Sequence, residues 1–162
     1  MKLILTRHAK SDWNDPTLDD HDRTLNARGR HAAPLVGDWL QTRGHVPDHI
    51  LCSTATRARE TCELIRARLD PAPEVTHVAG LYNAEAEKVL SHLQKREGGT
   101  LMAIGHNPGF GVLARTLSRR TPDHPAFIGY PTAATLVLEF ADGIAEAAGR
   151  VLDFTVPRDL ED

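Results

Sequence analysis

The sequence predicts an α/β fold, a three-layer αβα arrangement around a mostly parallel central sheet. Short apolar runs bounded by turn residues alternate with segments whose apolar side chains recur at helical spacing, as in strands joined by crossover helices. Alternation of this kind covers both faces of the sheet with helices. The chain has 162 residues, 41% of them hydrophobic and 25% charged, which suits one globular core folding without staples. A single domain over 1–162 is therefore expected.

The elements follow in order. Residues 2–6 (KLILT) read as a buried strand. A helix is expected over 24–43, with Ala32, Leu35, Val36, Trp39 and Leu40 at helical spacing and Gly44 as its stop. Pro34 either starts the regular part of this helix or kinks it. Residues 49–52 form a second strand, leading into a helix with Ala58, Cys62, Ile65 and Leu69 on one stripe and Asp70-Pro71 at its end. A third strand is expected over 74–78. Ala86, Val89, Leu90 and Leu93 then mark a helix closed by Gly98-Gly99. Residues 100–104 make a strand, and 108–118 a helix with Phe110, Leu113, Ala114 and Leu117 facing in. Two late strands, over 135–140 and 151–156, complete the set, and Asp142-Gly143 offers a weak hairpin turn between them.

Composition excludes several classes of function. With a formal net charge of -3 and no basic stripe, a nucleic-acid role has no support, and any attraction for anions must be local. The two cysteines, Cys52 and Cys62, form no CxxC pair, so a reducing compartment and no structural zinc are expected. The first residues are too short for a signal peptide, and no apolar run approaches the roughly 20 residues needed to cross a bilayer. The expectation is a cytoplasmic protein with no membrane partner.

Ligands in such sheets bind beyond the carboxyl ends of the strands. The first strand ends in Arg7-His8, the second in Ser53 with Arg57 in the next helical turn, and the strand over 100–104 in Gly105-His106. If these strands are neighbours, two arginines and two histidines converge. Arg57 opposes the helix dipole, a penalty that a bound anion would reverse. Arg59 shares the position but is expected to reach water. Asn107 can cap the next helix and Pro108 suits its first position, which aims backbone N–H groups beside His106.

No Walker A, HExxH or GxSxG sequence is present. Two forked guanidinium groups match the oxygens of a phosphoryl group. A neutral histidine attacks through a lone pair without shedding a proton, and nearby arginines favour that neutral form. In-line phosphoryl transfer to a histidine fits these residues, with no metal needed for charge neutralisation.

The same residues resemble the histidine phosphatase superfamily, the phosphoglycerate mutase-like group. Arg7-His8-Ala9 resembles its RHG signature, the stretch Ser53 to Thr61 its second motif and Gly105-His106 its third. Within the superfamily, RHAKSDW, DDHDRTLNARG, LCSTATRARET, LYNA, GHNPG and YPTAATLVLEF are similar to the SixA-type phosphohistidine phosphatases, and together they span nearly the whole chain. The resemblance implies a phosphoglycerate mutase-like fold and a covalent phospho-His8 intermediate. It also implies that Arg7, Arg57 and His106 bind the phosphoryl oxygens and that water then releases inorganic phosphate. Asn14 matches a pocket asparagine of the mutase branch. No cofactor is implied, and the partner is a phosphorylated protein or a small phosphoester.

Two departures stand out. Ala9 replaces the usual glycine, as is common in the SixA-like branch. Where many members carry a glutamate as general acid, this chain reads Leu81-Tyr82-Asn83-Ala84; Glu85 and Glu87 follow, in the first turn of a helix where acids are expected anyway. Lack of an acid penalises phosphoester hydrolysis more than that of a phosphoramidate, whose imidazole leaves readily. The leading reading is a phosphohistidine phosphatase acting on a protein. The alternatives are a small-molecule phosphomonoesterase with Glu85 or another carboxylate as acid, and a non-catalytic phosphate-binding regulator. Asp12, Asp15, Asp19, Asp20 and Asp22 read as a solvated loop bordering the pocket, with Arg23 exposed or salt-bridged. Trp13 and Trp39 read as packing residues, Cys52 as core, and His31, His45, His49, His77, His92 and His124 as surface groups.

Overall fold

The computed structural model describes residues 1–161. Its order is β1 (Lys2–Arg7), α1 (Ala27–Thr42), β2 (His49–Ser53), α2 (Thr56–Arg66), β3 (Glu74–Val78), α3 (Ala86–Leu93), β4 (Thr100–Gly105), α4 (Gly109–Leu117), β5 (Thr135–Glu139), β6 (Arg150–Thr155) and α5 (Pro157–Leu160). The six strands form one sheet in the order β3-β2-β4-β1-β5-β6. β3, β2, β4 and β1 run parallel, β5 is antiparallel to β1, and β6 is antiparallel to β5. The sheet is thus mostly parallel, as expected.

Alternation along the strands makes the layers. Leu3, Leu5, Leu101 and Ala103 point to the face covered by α3 and α4, where Val89, Leu93, Phe110 and Leu113 meet them. Ile4, Ile50, Met102 and Ile104 point to the opposite face, against Val36 and Leu40 of α1 and Ala58, Cys62 and Ile65 of α2. Each fully buried Leu, Ile, Val, Phe or Met among them contributes about 1.5–3 kcal/mol, so both helix layers are held by the sheet. Among the described residues, no helix is long and apolar enough to cross a membrane.

Several boundaries differ from expectation. α1 starts at Ala27, because Asn26 caps it by accepting from the N–H of Gly29 at 2.9 Å; it then runs through Pro34 without ending. α2 stops at Arg66, ahead of Asp70-Pro71. There the backbone tightens to three-residue spacing, with Arg68 N–H on Ile65 and Leu69 N–H on Arg66, and Leu69 still reaches the core. The β5–β6 pair is antiparallel, joined by residues 140–149 rather than by a tight turn at Asp142-Gly143.

For function, the middle of the sheet matters most. β4 lies between β1 and β2, with Arg7 in register with Gly105 and Cys52 with Ile104. The three strands that end in polar groups are therefore adjacent and level.

Candidate active site

His8 follows the last residue of β1 and is almost wholly buried. Its Nδ1 lies 2.7 Å from the carbonyl oxygen of Ala9. A carbonyl only accepts, so Nδ1 carries the hydrogen and the lone pair resides on Nε2. The position of Ala9 is fixed in turn by Thr61 of α2. Its Oγ1 accepts the Ala9 N–H at 2.9 Å and donates to the Arg57 carbonyl at 2.7 Å. One buried threonine thus ties the His8 turn to the helix that supplies Arg57.

His106 follows β4 and is buried. Its Nε2 lies 2.7 Å from Ser53 Oγ at the end of β2, and its Nδ1 lies 3.5 Å from Nη2 of Arg57. The guanidinium can only donate, so Nδ1 presents its lone pair there and Nε2–H donates to Ser53. The His8 and His106 ring centroids are 5.2 Å apart. Burial, with smaller contributions from Arg57, Arg7 and Arg23, pulls the pKa of His8 down to about 4. Burial first, then His8 and Arg57, pulls that of His106 down to about 3. Both imidazoles are neutral at pH 7.

Arg7 and Arg57 complete the group. Arg57 is 3% exposed, and Arg7 donates from Nη1 to the carbonyl of Tyr130 at 3.3 Å. Tyr130 holds φ at 45°, a left-handed conformation costing about 1–3 kcal/mol for a bulky residue. It is held there by its hydroxyl on the Leu5 carbonyl at 2.5 Å and by Asn107 Nδ2 on its carbonyl at 2.9 Å. Asn107 also caps α4, though from one residue before the boundary residue Pro108: its Oδ1 accepts the N–H of Gly111 at 3.0 Å.

The Nε–H groups of Arg7 and Arg57 are buried and have no hydrogen-bond partner among the described residues. An unpaired buried donor costs about 1–3 kcal/mol, more when charged. Two of them consume a sizeable share of the 5–15 kcal/mol by which a domain of this size is typically stable. An anion with several oxygens would satisfy both.

Two residues not singled out from the sequence adjoin the cluster. Asp20, in a helical turn over 20–22, binds Arg57 through its carbonyl (Nη1, 2.6 Å) and its carboxylate (Nη2, 3.0 Å). Its other oxygen takes Arg23 at 3.1 Å, and the Tyr82 hydroxyl donates to the same oxygen as Nη2 of Arg57. The Tyr82 hydroxyl, Arg57 and Arg23 hold the Asp20 carboxyl well below the usual carboxylate range. Tyr82 stands in the stretch where the superfamily glutamate was sought. Its ring lies edge-on to His106, with centroids 5.5 Å apart. The acidic composition of the loop hid Asp20; its spacing to Arg23, three residues on, was the available signal.

Arg7, His8, Arg57 and His106 are thus brought together, and Arg23 is buried and salt-bridged rather than exposed. Asn14 is exposed. It lines a groove with Thr24, Asn26 and Arg28, and no hydrogen bond links it to the four among the described residues. Glu85 is exposed at the start of α3, and Arg59 reaches water as expected. Cys52 is core and Trp39 packs, but Trp13 is exposed. His45 is buried against Asp153 of β6 at 3.3 Å rather than on the surface, because α1 and β6 close over it.

A family model described as the histidine phosphatase superfamily (branch 1) matches residues 3–85, which include Arg7, His8 and Arg57. An uncharacterized protein of Mycobacterium tuberculosis, Rv1276c, is 35% identical over 162 residues, 94% of this chain and 99% of its own length. An uncharacterized chloroplastic protein of Arabidopsis thaliana is 36% identical over 128 residues, 72% of this chain, and the chain spans 59% of that protein. A solved structure assigned as phosphohistidine phosphatase SixA, from Agrobacterium tumefaciens, superimposes with a TM-score of 0.80 at 28% identity, over 96% of this chain and 97% of that one. The protein histidine phosphatase SixA complexed with tungstate shares the fold, with a TM-score of 0.82 at 20% identity over 99% and 100%.

Proposed function

The chain belongs to the histidine phosphatase superfamily, and from that premise we propose that it hydrolyses phosphohistidine on a protein through a covalent phospho-His8 intermediate. One observation carries the reading. A buried neutral imidazole, with Nδ1–H committed to the Ala9 carbonyl, shares its cluster with two buried guanidinium Nε–H groups that lack partners among the described residues.

In the first step, the Nε2 lone pair of His8 forms a bond to phosphorus in line with the leaving nitrogen. The P–N bond of the substrate breaks, and its electron pair returns to the substrate imidazole. Nδ1–H, held by Ala9, shares the positive charge that develops on the His8 ring. Arg7 and Arg57 neutralise the phosphoryl oxygens. An arriving phosphoryl dianion offsets the burial and the Arg57 charge that keep His106 neutral, so that a proton taken from solvent on Nδ1 is shared with a phosphoryl oxygen. In the second step water attacks phosphorus, the bond to Nε2 breaks and its electron pair returns to His8. Inorganic phosphate is the product.

The Tyr82 position supports a phosphoramidate over an ester. The adjoining carboxylate, Asp20, is kept ionised by its neighbours and has no proton to give at neutral pH. An alkoxide leaving group needs that proton, and an imidazole carries its own. The functional unit is a single histidine-phosphatase-like domain over 1–162 that uses no cofactor. Two free buried cysteines suit a reducing cytoplasm.

The test is kcat/KM on a phosphohistidine carrier protein against a panel of phosphomonoesters, with His8→Ala as control. A preference for phosphohistidine, abolished by the substitution, is expected. A preference for monoesters overturns the reading and directs the search for an acid to Glu85→Gln.

A further inference from the structure

We propose that the rim of this pocket is a docking surface for the protein that bears the phosphorylated side chain, anchored by Trp13 and Ile128 and complementary to a basic partner surface; this rests on the phosphohistidine reading above. Among the described residues, the exposed large hydrophobic side chains are Trp13 (73%), Ile128 (62%), Leu18 (40%) and Val112 (38%). Their distribution is one-sided. Trp13 and Leu18 lie on the connection leaving the carboxyl end of β1. Val112 is in the first turns of α4, just beyond the end of β4. Ile128 precedes β5, whose Thr135 is in register with Thr6 near the end of β1, so its segment approaches that same end of the sheet. An apolar side chain scattered at random needs no explanation, but all four belong to segments that meet the carboxyl end of the central strands, the end that carries the site.

Each anchor is joined to the pocket by fixed contacts. Arg23 is stacked on Trp13, with its guanidinium carbon 3.5 Å from the ring centroid. Arg23 is itself buried, and it is held by Ser11 Oγ at 2.6 Å and by Asp20, the residue that grips Arg57. The indole is thus presented to solvent on a rigid platform, and little ordering entropy remains to be lost on binding. An exposed, pre-positioned tryptophan is the residue type most often dominant at protein interfaces. On the other side, the two residues after Ile128, Gly129 and Tyr130, accept through their carbonyls from Asn107 Nδ2 at 3.2 and 2.9 Å.

Charge identifies the partner. Between Lys10 and Arg23 the chain carries Asp12, Asp15, Asp19, Asp20 and Asp22 and no lysine or arginine. Asp20 is paired with Arg57 and Arg23, whereas Asp15, Asp19 and Asp22 are exposed and form no salt bridge to a lysine or arginine among the described residues. A small anionic phosphoester is repelled by this loop and has no apolar surface for Trp13. A folded protein with basic and apolar side chains around its phosphohistidine is attracted to both.

The experiment compares kcat/KM on a phosphohistidine carrier protein with basic residues flanking its histidine and on free phosphohistidine. Trp13→Ala and, separately, Ile128→Asp are expected to lower carrier turnover at least about tenfold, through KM, and to leave free phosphohistidine within about twofold. Raising salt is expected to slow the carrier reaction of the unmodified protein and not that of free phosphohistidine. Parallel losses on both substrates would mean that Trp13 acts through Arg23, and would overturn the proposal. Carrier turnover untouched by both substitutions, or independent of salt, would overturn it too. If the unmodified protein hydrolyses neither phosphohistidine substrate, the phosphohistidine reading itself falls instead.

Discussion

Asp20 grips Arg57 by one edge of the guanidinium, taking Nη1 at 2.6 Å and Nη2 at 3.0 Å. On the other edge Nη2 also faces His106 Nδ1 at 3.5 Å, and Nε–H is the buried donor without a partner among the described residues. The acidic loop therefore does not occupy the anion clamp. It orients the clamp, leaving the Nε–H of Arg57 for the phosphoryl group. Asp20→Ala is expected to loosen Arg57 and reduce kcat/KM about tenfold or more on every substrate, with a matching loss in binding of inorganic phosphate by calorimetry. Unchanged phosphate binding would remove Asp20 from this positioning role.

Thr61 links the two halves of the site. Replacing it with valine keeps the volume but strands the buried N–H of Ala9. A loss of about 1–3 kcal/mol is expected in urea denaturation, together with slower phosphoenzyme formation. A variant as stable as the parent would mean that Ala9 finds another acceptor.

Ser53 sets the tautomer of His106. With Ser53→Ala, Nε2 loses its acceptor and the ring is free to reverse its proton. We expect kcat to fall about tenfold on phosphohistidine with little change in KM, read by steady-state kinetics.

The two histidines also make stability depend on pH. His8 and His106 titrate at about 4 and about 3 in the folded protein, against 6.5 unperturbed. Between those values the unfolded chain binds more protons than the folded one, so stability rises with pH from about 4 to 6.5 and falls on acidification through that window. Above about 6.5 these groups contribute no slope. Denaturation midpoints from pH 4 to 8 should show this limb, and His8→Ala should make it shallower, leaving the share that His106 contributes. A limb unaltered in that variant would assign the titration to other groups.

Much of this was legible in the sequence because the informative residues sit at strand ends. Arg7-His8, Ser53 and Gly105-His106 each close an apolar run, so the sheet rule alone places them on one side. That β4 lies between β1 and β2 follows from pairing, which local pattern does not encode. Asp20 looked like part of a solvated loop because its partners Arg57 and Tyr82 are distant in sequence, and Arg23, which it holds, was read with the same loop. Tyr130 was hidden for a different reason: its role depends on a left-handed backbone that no local residue preference favours. The exposure of Trp13 reflects Arg23 standing beneath it, a contact between a loop and its own continuation ten residues later.

The central claim is that His8 accepts the phosphoryl group on Nε2. Rapid quenching of the protein with radiolabelled phosphohistidine carrier, followed by peptide mapping, tests it directly. An acid-labile, base-stable label on the peptide containing His8, absent in His8→Ala and accumulating before phosphate release, is the predicted result. Label on another residue, or turnover with no trapped phosphoenzyme and with His8→Ala still active, would contradict the account.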